Sequence, residues 1–335
     1  MTMDAIPTEL VNFIKTGSNF IIAGHKEPDG DCVGSQLSLC SALERMGKNA
    51  IVCSAGPFVR PDLKKIENLF IENQKILDSI LTSEEKIKDT KVIIVDCSTM
   101  ERTGDIREKL EKFSYAIIDH HAATTHPAST SLAPVYIDTS APSCTTMIEK
   151  LITALDLELT KEEAEQLLFG LCTDTGFFRH LTEKSSEVFE AASRMIRSGA
   201  SPKKIFTVIN GGKSLNSRIL MGHILSRTES FFDGKFLLSY ETLEDFNAFG
   251  LESRDSDSLN QLLLSIEGVE ATAIIRQECD NSCTVSLRSV DNIDVAQIAS
   301  SFGGGGHKNA AGLTMQGDIS YVKKIMLKTF SKLYI

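Results

Sequence analysis

Basic residues are the minority charge in this chain: its 335 residues hold 35 Lys and Arg against 45 Asp and Glu, a formal net charge of -10. Wrapping a long polyanion draws its affinity from many basic contacts to phosphates. The charge balance therefore argues against long nucleic acid as a partner and leaves room for a substrate with few phosphates. No run of 18 apolar residues offers a membrane span. A basic n-region followed by an apolar core is also missing. Met1 to Phe20 carries Asp4, Glu9 and Lys15 within an amphipathic pattern, so no signal peptide is expected. The cysteines, at 32, 40, 53, 97, 144, 172, 279 and 283, form no C-x-x-C pair, and several lie inside apolar runs. They read as reduced packing residues, which points to a cytoplasmic protein. The chain has no internal repeat and no low-complexity tract, and 42% hydrophobic with 24% charged residues is an ordinary globular mixture. Its length exceeds the size at which one core usually stops growing, so two domains are expected.

What the chain does have is a repeated ending. Three apolar runs rich in β-branched residues finish on metal-capable side chains: Ile21-Ile-Ala-Gly-His25, Val92-Ile-Ile-Val-Asp96 and Ala116-Ile-Ile-Asp119-His120-His121. Continuous apolar runs read as strands covered on both faces, as in a parallel sheet. The carboxyl ends of such strands share one edge, where ligands bind, so these residues are expected to converge. From residue 5 to about 175 helices and strands alternate, implying βαβ crossovers and a doubly wound α/β sheet. Within it the pattern predicts helices over Val33 to Met46, over Ser143 to Leu155 with Ser143 as N-cap, and over Thr160 to Thr173. Thr160-Lys-Glu-Glu163 fits a capping box for the last of these. Domain 1 is read as 1-185, a helical connector as 186-230, and a smaller C-terminal α/β domain as 231-335, with the catalytic cleft between the two domains. The expected strands of the second domain are Lys235 to Tyr240, Ala271 to Gln277 and Cys283 to Ser289.

Four constellations carry chemistry. In His25-Lys-Glu-Pro-Asp29-Gly-Asp31, Pro28 and Gly30 force a turn that folds His25, Asp29 and Asp31 toward one point, although Asp31 capping the following helix is the bland reading. Asp96 and Asp119-His120-His121 follow strands, and Asp119 can orient a ligating histidine. Asp174-Thr-Gly176 leaves a helix beside a glycine. Together His25, Asp29, Asp31, Asp96, His120 and Asp174 make two imidazoles and four carboxylates without a thiolate, which suits Mn²⁺ or Mg²⁺. Four carboxylates match two divalent ions and are too many for one. Such a pair, about 4 Å apart, activates water and stabilises displacement at phosphorus. The fourth constellation is Ser286-Leu-Arg288-Ser289 with Gly303-Gly304-Gly305-Gly306-His307-Lys308. Its consecutive glycines are expected to form an anion nest flanked by cations.

In this order these motifs resemble the DHH phosphoesterase superfamily, in its two-domain nanoRNase type with a DHH-associated C-terminal domain, over almost the whole chain. The resemblance implies a Mn²⁺-dependent phosphohydrolase that degrades very short oligoribonucleotides to mononucleotides and dephosphorylates 3′-phosphoadenosine 5′-phosphate. It implies one Mn²⁺ on His25, Asp29 and Asp96 and a second on Asp31, Asp96, His120 and Asp174, with Asp96 as the bridge. His121 then faces the scissile phosphate, and Asp119 orients the histidine pair. Arg288 and the loop Gly303 to His307 grip the substrate, and Arg102 lies on a loop near the site unless it is a solvated surface arginine. A homodimer is compatible with the pattern.

The rival enzymes are a cyclic dinucleotide or linear dinucleotide phosphodiesterase, a family II inorganic pyrophosphatase, a RecJ-type exonuclease and an exopolyphosphatase. The pyrophosphatase reading lacks its C-terminal Ser-Arg-Lys-Lys-Gln-type motif, and the RecJ reading lacks an added basic domain. A nucleotide-sensing module without turnover is the reading from another class, and a purely structural α/β protein is a third.

Overall fold

A computed structural model describes residues 6–60, 62–121, 134–183, 185–290 and 292–334. The chain separates into two compact units, Met1–Gly211 and Gly212–Ile335. The first is built from α1 (Thr8–Thr16), β1 (Asn19–Ala23), α2 (Gly30–Arg45), β2 (Asn49–Cys53), α3 (Glu67–Ile80), α4 (Glu84–Lys88) and β3 (Thr90–Val95). It continues through α5 (Arg107–Leu110), β4 (Ser114–Asp119), β5 (Val135–Ile137), α6 (Cys144–Ala154), α7 (Lys161–Asp174), α8 (Ser186–Arg197) and α9 (Pro202–Asn210).

All pairings in its sheet are parallel and the strand order is β2-β1-β3-β4-β5. Successive side chains of each strand serve opposite cores, which is why the runs contain no polar alternation. Phe20, Ile22, Ile93, Val95, Ala116 and Ile118 pack with α1, α2, α6 and α7 on one face. Ile21, Ala23, Val92, Ile94 and Ile117 pack with Leu77 of α3 and Leu110 of α5 on the other. The chain reverses direction of travel between β1 and β3, so the crevice outside their carboxyl ends lies at the topological switch point.

On the first of these faces α2 packs closely on α7. Gly34 and Gly170 permit it: a Cβ on Gly34 would stand 2.6 Å from the Gln166 carbonyl, and one on Gly170 would stand 2.5 Å from Thr145 and 3.0 Å from the Asp31 Cα. The anticipated caps are present. Ser143 accepts from the Thr146 N–H at the start of α6, and Thr160 with Glu163 completes a capping box on α7.

The second unit comprises α10 (Leu215–Ser226), β6 (Glu229–Phe231), β7 (Phe236–Glu241), α11 (Leu243–Phe249), α12 (Ser256–Leu264), β8 (Ala271–Cys279), β9 (Ser282–Ser289), α13 (Val295–Ser300), β10 (Gly305–His307), β11 (Ala310–Gln316) and α14 (Ile319–Phe330). Its mixed sheet has the order β10-β11-β9-β8-β7-β6, with only the β7–β8 pair parallel. The 186–230 segment divides between the units: α8 and α9 bury Val188, Met195 and Ile205 in the first core, and α10 buries Leu220 and Ile224 in the second.

Phe330 of α14 is fully buried against Phe236 of β7, with ring centroids 4.0 Å apart. Truncating a buried phenylalanine costs about 3–5 kcal/mol. Phe330→Ala is therefore expected to lower the unfolding free energy of the second unit by that amount, as measured by denaturant titration followed by circular dichroism.

Candidate metal centre

The three strand ends and the α7 terminus meet. β1 stops at Ala23, so Gly24 and His25 lie just beyond it. The His25 Nδ1–H donates to the carbonyl of Lys26 at 2.7 Å, which fixes the ring and leaves Nε2 for another partner. That Nε2 is 3.4 Å from Asp96 Oδ2 and 3.9 Å from Asp29 Oδ1. Asp96 follows β3 in the left-handed region (φ 60), a conformation aspartate tolerates, while its N–H still donates to the Ile118 carbonyl. The strand is thus held while the carboxylate turns off its end.

Asp29, rather than Asp31, caps α2: its Oδ1 accepts from the N–H groups of Asp31 and Cys32. Asp31 is fully buried and bonds 113 and 114 residues away, accepting from the N–H groups of Cys144 and Thr145 at 2.6 and 2.9 Å and from the Thr145 hydroxyl at 2.6 Å. The N-terminus of α6 therefore clamps this carboxylate with oriented donors. Sequence reading missed this partnership, although the Ser143 cap marked the helix start that supplies it. Ala141 was missed as well; its carbonyl faces His120 Nδ1 at 3.3 Å.

His120 Nε2 stands 3.4 Å from Asp96 Oδ1, 3.7 Å from Asp31 Oδ2 and 3.6 Å from Asp174 Oδ2. These separations are too long for good hydrogen bonds. They suit two ligands of one ion, which sit about 3 Å or more apart when each is about 2.1 Å from it. His120 Nε2 and Asp96 Oδ1 are buried with no hydrogen-bond partner among the described residues. Orphaned buried polar atoms call for an explanation, and a bound cation supplies one. Asp96 also divides between two centres, Oδ2 toward His25 and Oδ1 toward His120. Hard oxygen and imidazole donors of this kind fit Mn²⁺ or Mg²⁺.

Cys32 lies within 4.8 Å of ligand atoms of His25 and Asp96, but burial pushes its thiol well above the ordinary range and it donates to Gln36 Oε1. It is a packing thiol. None of the cysteines is in a disulfide.

Electrostatics agree with a cluster that wants cations. Burial, followed by the charges of Asp96 and Asp174, drives Asp31 well above the usual carboxylate range. Burial lifts Asp174 to about 6. Burial alone would lower His120, but Asp96, Asp31 and Asp174 outweigh it and raise the imidazole to about 9. Burial also works to raise Asp96, and His120 and His25 overcome it and hold that carboxylate low. Protons thus collect where carboxylates crowd.

Asp119, fully buried, accepts from the N–H groups of His120 and His121 at 2.9 and 3.2 Å and from His121 Nδ1 at 2.8 Å. It holds the His121 ring directly and His120 only through the backbone. His121 is 41% exposed, with Nδ1 occupied by Asp119 and 3.7 Å from Asp96 Oδ1. Its Nε2 is the nitrogen left for a reacting group.

Arg102 follows β3 and is exposed; its carbonyl accepts from the Lys26 N–H at 2.8 Å. Burial and the charges of Asp96 and Asp119 raise the Cys97 thiol, and the Arg102 charge pulls against them.

In the second unit a groove of about 580 Å³ is lined by Arg288, Ser286, Gly303 to Gly306 and Gly312. Arg288 donates to the Leu287 carbonyl and lies 3.7 Å from Asp257. The glycine run differs from the expected nest. The amides of Gly303 and Gly304 donate to the Ser300 and Ala299 carbonyls, closing α13, and Gly305 to His307 form an edge strand on β11. Two of the four amides are thus unavailable to an anion. The exposed His307 and the wall of small residues remain.

The model of the DHH family, N-terminal domain, matches residues 19–171, and that of the DHHA1 domain matches residues 233–332. A bifunctional oligoribonuclease and PAP phosphatase, NrnA, of Thermus thermophilus is 31% identical over 297 residues, covering 88% of this chain and 84% of that protein. An exopolyphosphatase-related protein of Bacteroides fragilis has the same fold, with TM-score 0.81 at 23% identity over 100% of this chain and 98% of that one. The exonuclease RecJ, in a structure bound to manganese, shares the fold with TM-score 0.53 at 14% identity over 98% and 94% of the two chains.

Proposed function

This chain belongs to the DHH family of phosphoester hydrolases, and we propose that it is a cytoplasmic, Mn²⁺-dependent enzyme that removes mononucleotides from very short oligoribonucleotides and hydrolyses the 3′-phosphate of 3′-phosphoadenosine 5′-phosphate. The observation that carries this reading is the divided Asp96 carboxylate, one oxygen toward His25 and the other, without a hydrogen bond, toward His120. The activity of the Thermus NrnA relative supports the substrate class, and manganese in RecJ supports the ion.

His25, Asp29 and Asp96 would hold one ion, and Asp31, Asp96, His120 and Asp174 would hold the other. When bound, such a pair supplies a water activated at neutral pH and neutralises charge developing on the phosphoryl group. The remaining roles belong to the protein. The α6 N-terminus and Thr145 orient Asp31, and the Ala141 and Lys26 carbonyls aim the Nε2 atoms of His120 and His25 inward. Asp119 locks the His121 ring so that Nε2 can stabilise the scissile phosphate or protonate the leaving oxygen. On the second unit, Arg288, His307 and the glycine-lined groove are the groups suited to holding a phosphate. Long nucleic acid is not a substrate for a chain of net charge -10.

The test is direct: metal-replete protein should release mononucleotides from RNA of two to five residues. No release would defeat the substrate assignment. Asp119→Asn keeps the size of the side chain but disturbs its acceptor contacts with His121. It is expected to lower kcat/KM by about 10–100-fold with the number of bound ions unchanged, as checked by steady-state kinetics beside metal analysis.

A further inference from the structure

Four phenylalanines of the first unit form an unbroken file of rings. Phe206 of α9 meets Phe177 edge-on with centroids 5.2 Å apart, Phe177 meets Phe178 at 5.7 Å, and Phe178 stacks on Phe189 of α8 at 5.4 Å with 29° between the planes. The two middle rings are half-buried against the core, while the end rings, Phe189 and Phe206, are 54% and 52% exposed. The core that the middle rings touch does not account for a file that breaks the surface at both ends.

The chain itself ties this file to the metal centre. α7 ends on Asp174, and Phe177 and Phe178 follow by three and four residues; three residues span at most about 11 Å. Gly176, Phe177 and Phe178 take φ values of +57, +57 and +69 in succession. Glycine adopts that region freely, but for two bulky side chains it is strained and must be held by its surroundings. The Phe177 N–H donates to the Cys172 carbonyl at 2.7 Å, the Phe178 N–H to the Thr175 hydroxyl at 3.1 Å, and the His180 N–H to the Thr175 carbonyl at 3.1 Å. The segment is thus coiled back on the end of α7, which keeps both rings close to the Asp174 backbone.

A net charge of -10 denies this chain the many phosphate contacts that usually hold a single strand. Stacking of bases on aromatic rings supplies affinity that needs no cation and accepts any base. We propose that the rings of Phe206, Phe177, Phe178 and Phe189 form a stacking platform for bases of the substrate beyond the nucleotide being released. This rests on the oligonucleotide hydrolase reading above, and adds that the rings hold the oligonucleotide while the metal centre cleaves it.

Phe189→Ala/Phe206→Ala removes the two exposed rings and leaves the middle pair and every proposed metal ligand in place. Adenosine 3′,5′-bisphosphate carries a single base, whereas an RNA trinucleotide carries two more. With Mn²⁺-loaded protein, KM for release of the first mononucleotide from the trinucleotide should rise about ten- to a hundredfold with kcat little changed, and both constants for the bisphosphate should stay within about twofold. Phe189→Tyr/Phe206→Tyr should keep the parent KM, and Phe189→Leu/Phe206→Leu, apolar but without a ring face, should behave as the alanine variant. An unchanged trinucleotide KM, an equal loss on both substrates, or parent-like kinetics in the leucine variant would overturn the platform and leave the hydrolase standing. A change from dimer to monomer in the alanine variant, seen by analytical ultracentrifugation, would overturn it too, by giving the exposed rings to a second copy of the chain. No turnover of either substrate by the unmodified protein would remove both readings.

Discussion

Asp96→Ala is expected to lower kcat/KM by about a thousandfold or more and to remove both metal ions, because the two oxygens of this carboxylate face the two proposed centres, Oδ2 toward His25 and Oδ1 toward His120. Bound ions contribute several kcal/mol to charge stabilisation at phosphorus, and each 1.36 kcal/mol is tenfold in rate. Asp96 is a cleaner target than Asp31, whose carboxylate also ties α2 to the α6 N-terminus through three hydrogen bonds. It is also cleaner than Asp29, which caps α2. Since Asp96 is in the left-handed region, alanine adds about 1 kcal/mol of backbone strain. Asp96→Asn tolerates that conformation and retains the shape. Equal loss of activity in both variants, with Asn melting near the parent, would assign the effect to lost ligation. Atomic absorption on the dialysed variants gives the ion count.

The second large effect is on stability. In the metal-free protein Asp174 is raised to about 6 and His120 to about 9, so the fold binds both protons more tightly than the unfolded chain does. Stability from a raised group is complete below its unfolded value and is lost as pH rises through the folded one. For Asp174 the loss runs from about pH 4 to 6 and is on the order of 3 kcal/mol; for His120 it runs from about pH 6.5 to 9. Asp96 acts in the opposite sense, its contribution being lost only as pH falls below the ordinary carboxylate range. Metal-free protein should therefore lose stability between pH 5.5 and 8.5. With saturating Mn²⁺ the ligands are deprotonated and binding strengthens with pH, so the difference between the two melting curves should widen upward across that range. A difference in melting temperature that stays constant with pH would contradict the assignment of these groups as ligands.

Much of this was legible from the sequence because it is local. The three apolar runs declared a covered parallel sheet, and Ser143 and Thr160-Lys-Glu-Glu163 announced their helices within four residues. The convergence of His25, Asp96 and His120 followed from topology, since the ends of parallel strands share an edge. Long-range partnership was hidden. Asp31 reads as a cap in the sequence, but its donors lie in Cys144 and Thr145, and their approach depends on Gly34 and Gly170 letting helices close up. The glycine run offered four free amides on paper; in the fold, helix α13 takes two. Strand β10 carries only glycine and histidine, residues of poor strand propensity, and exists because β11 pairs with it.

Mn²⁺ anomalous scattering from crystals of the metal-loaded protein tests the central claim most directly. Two peaks about 4 Å apart are expected on either side of the Asp96 carboxylate, one beside His25 and one beside His120. A single peak, or ions held elsewhere with Asp96 touching neither, would contradict it.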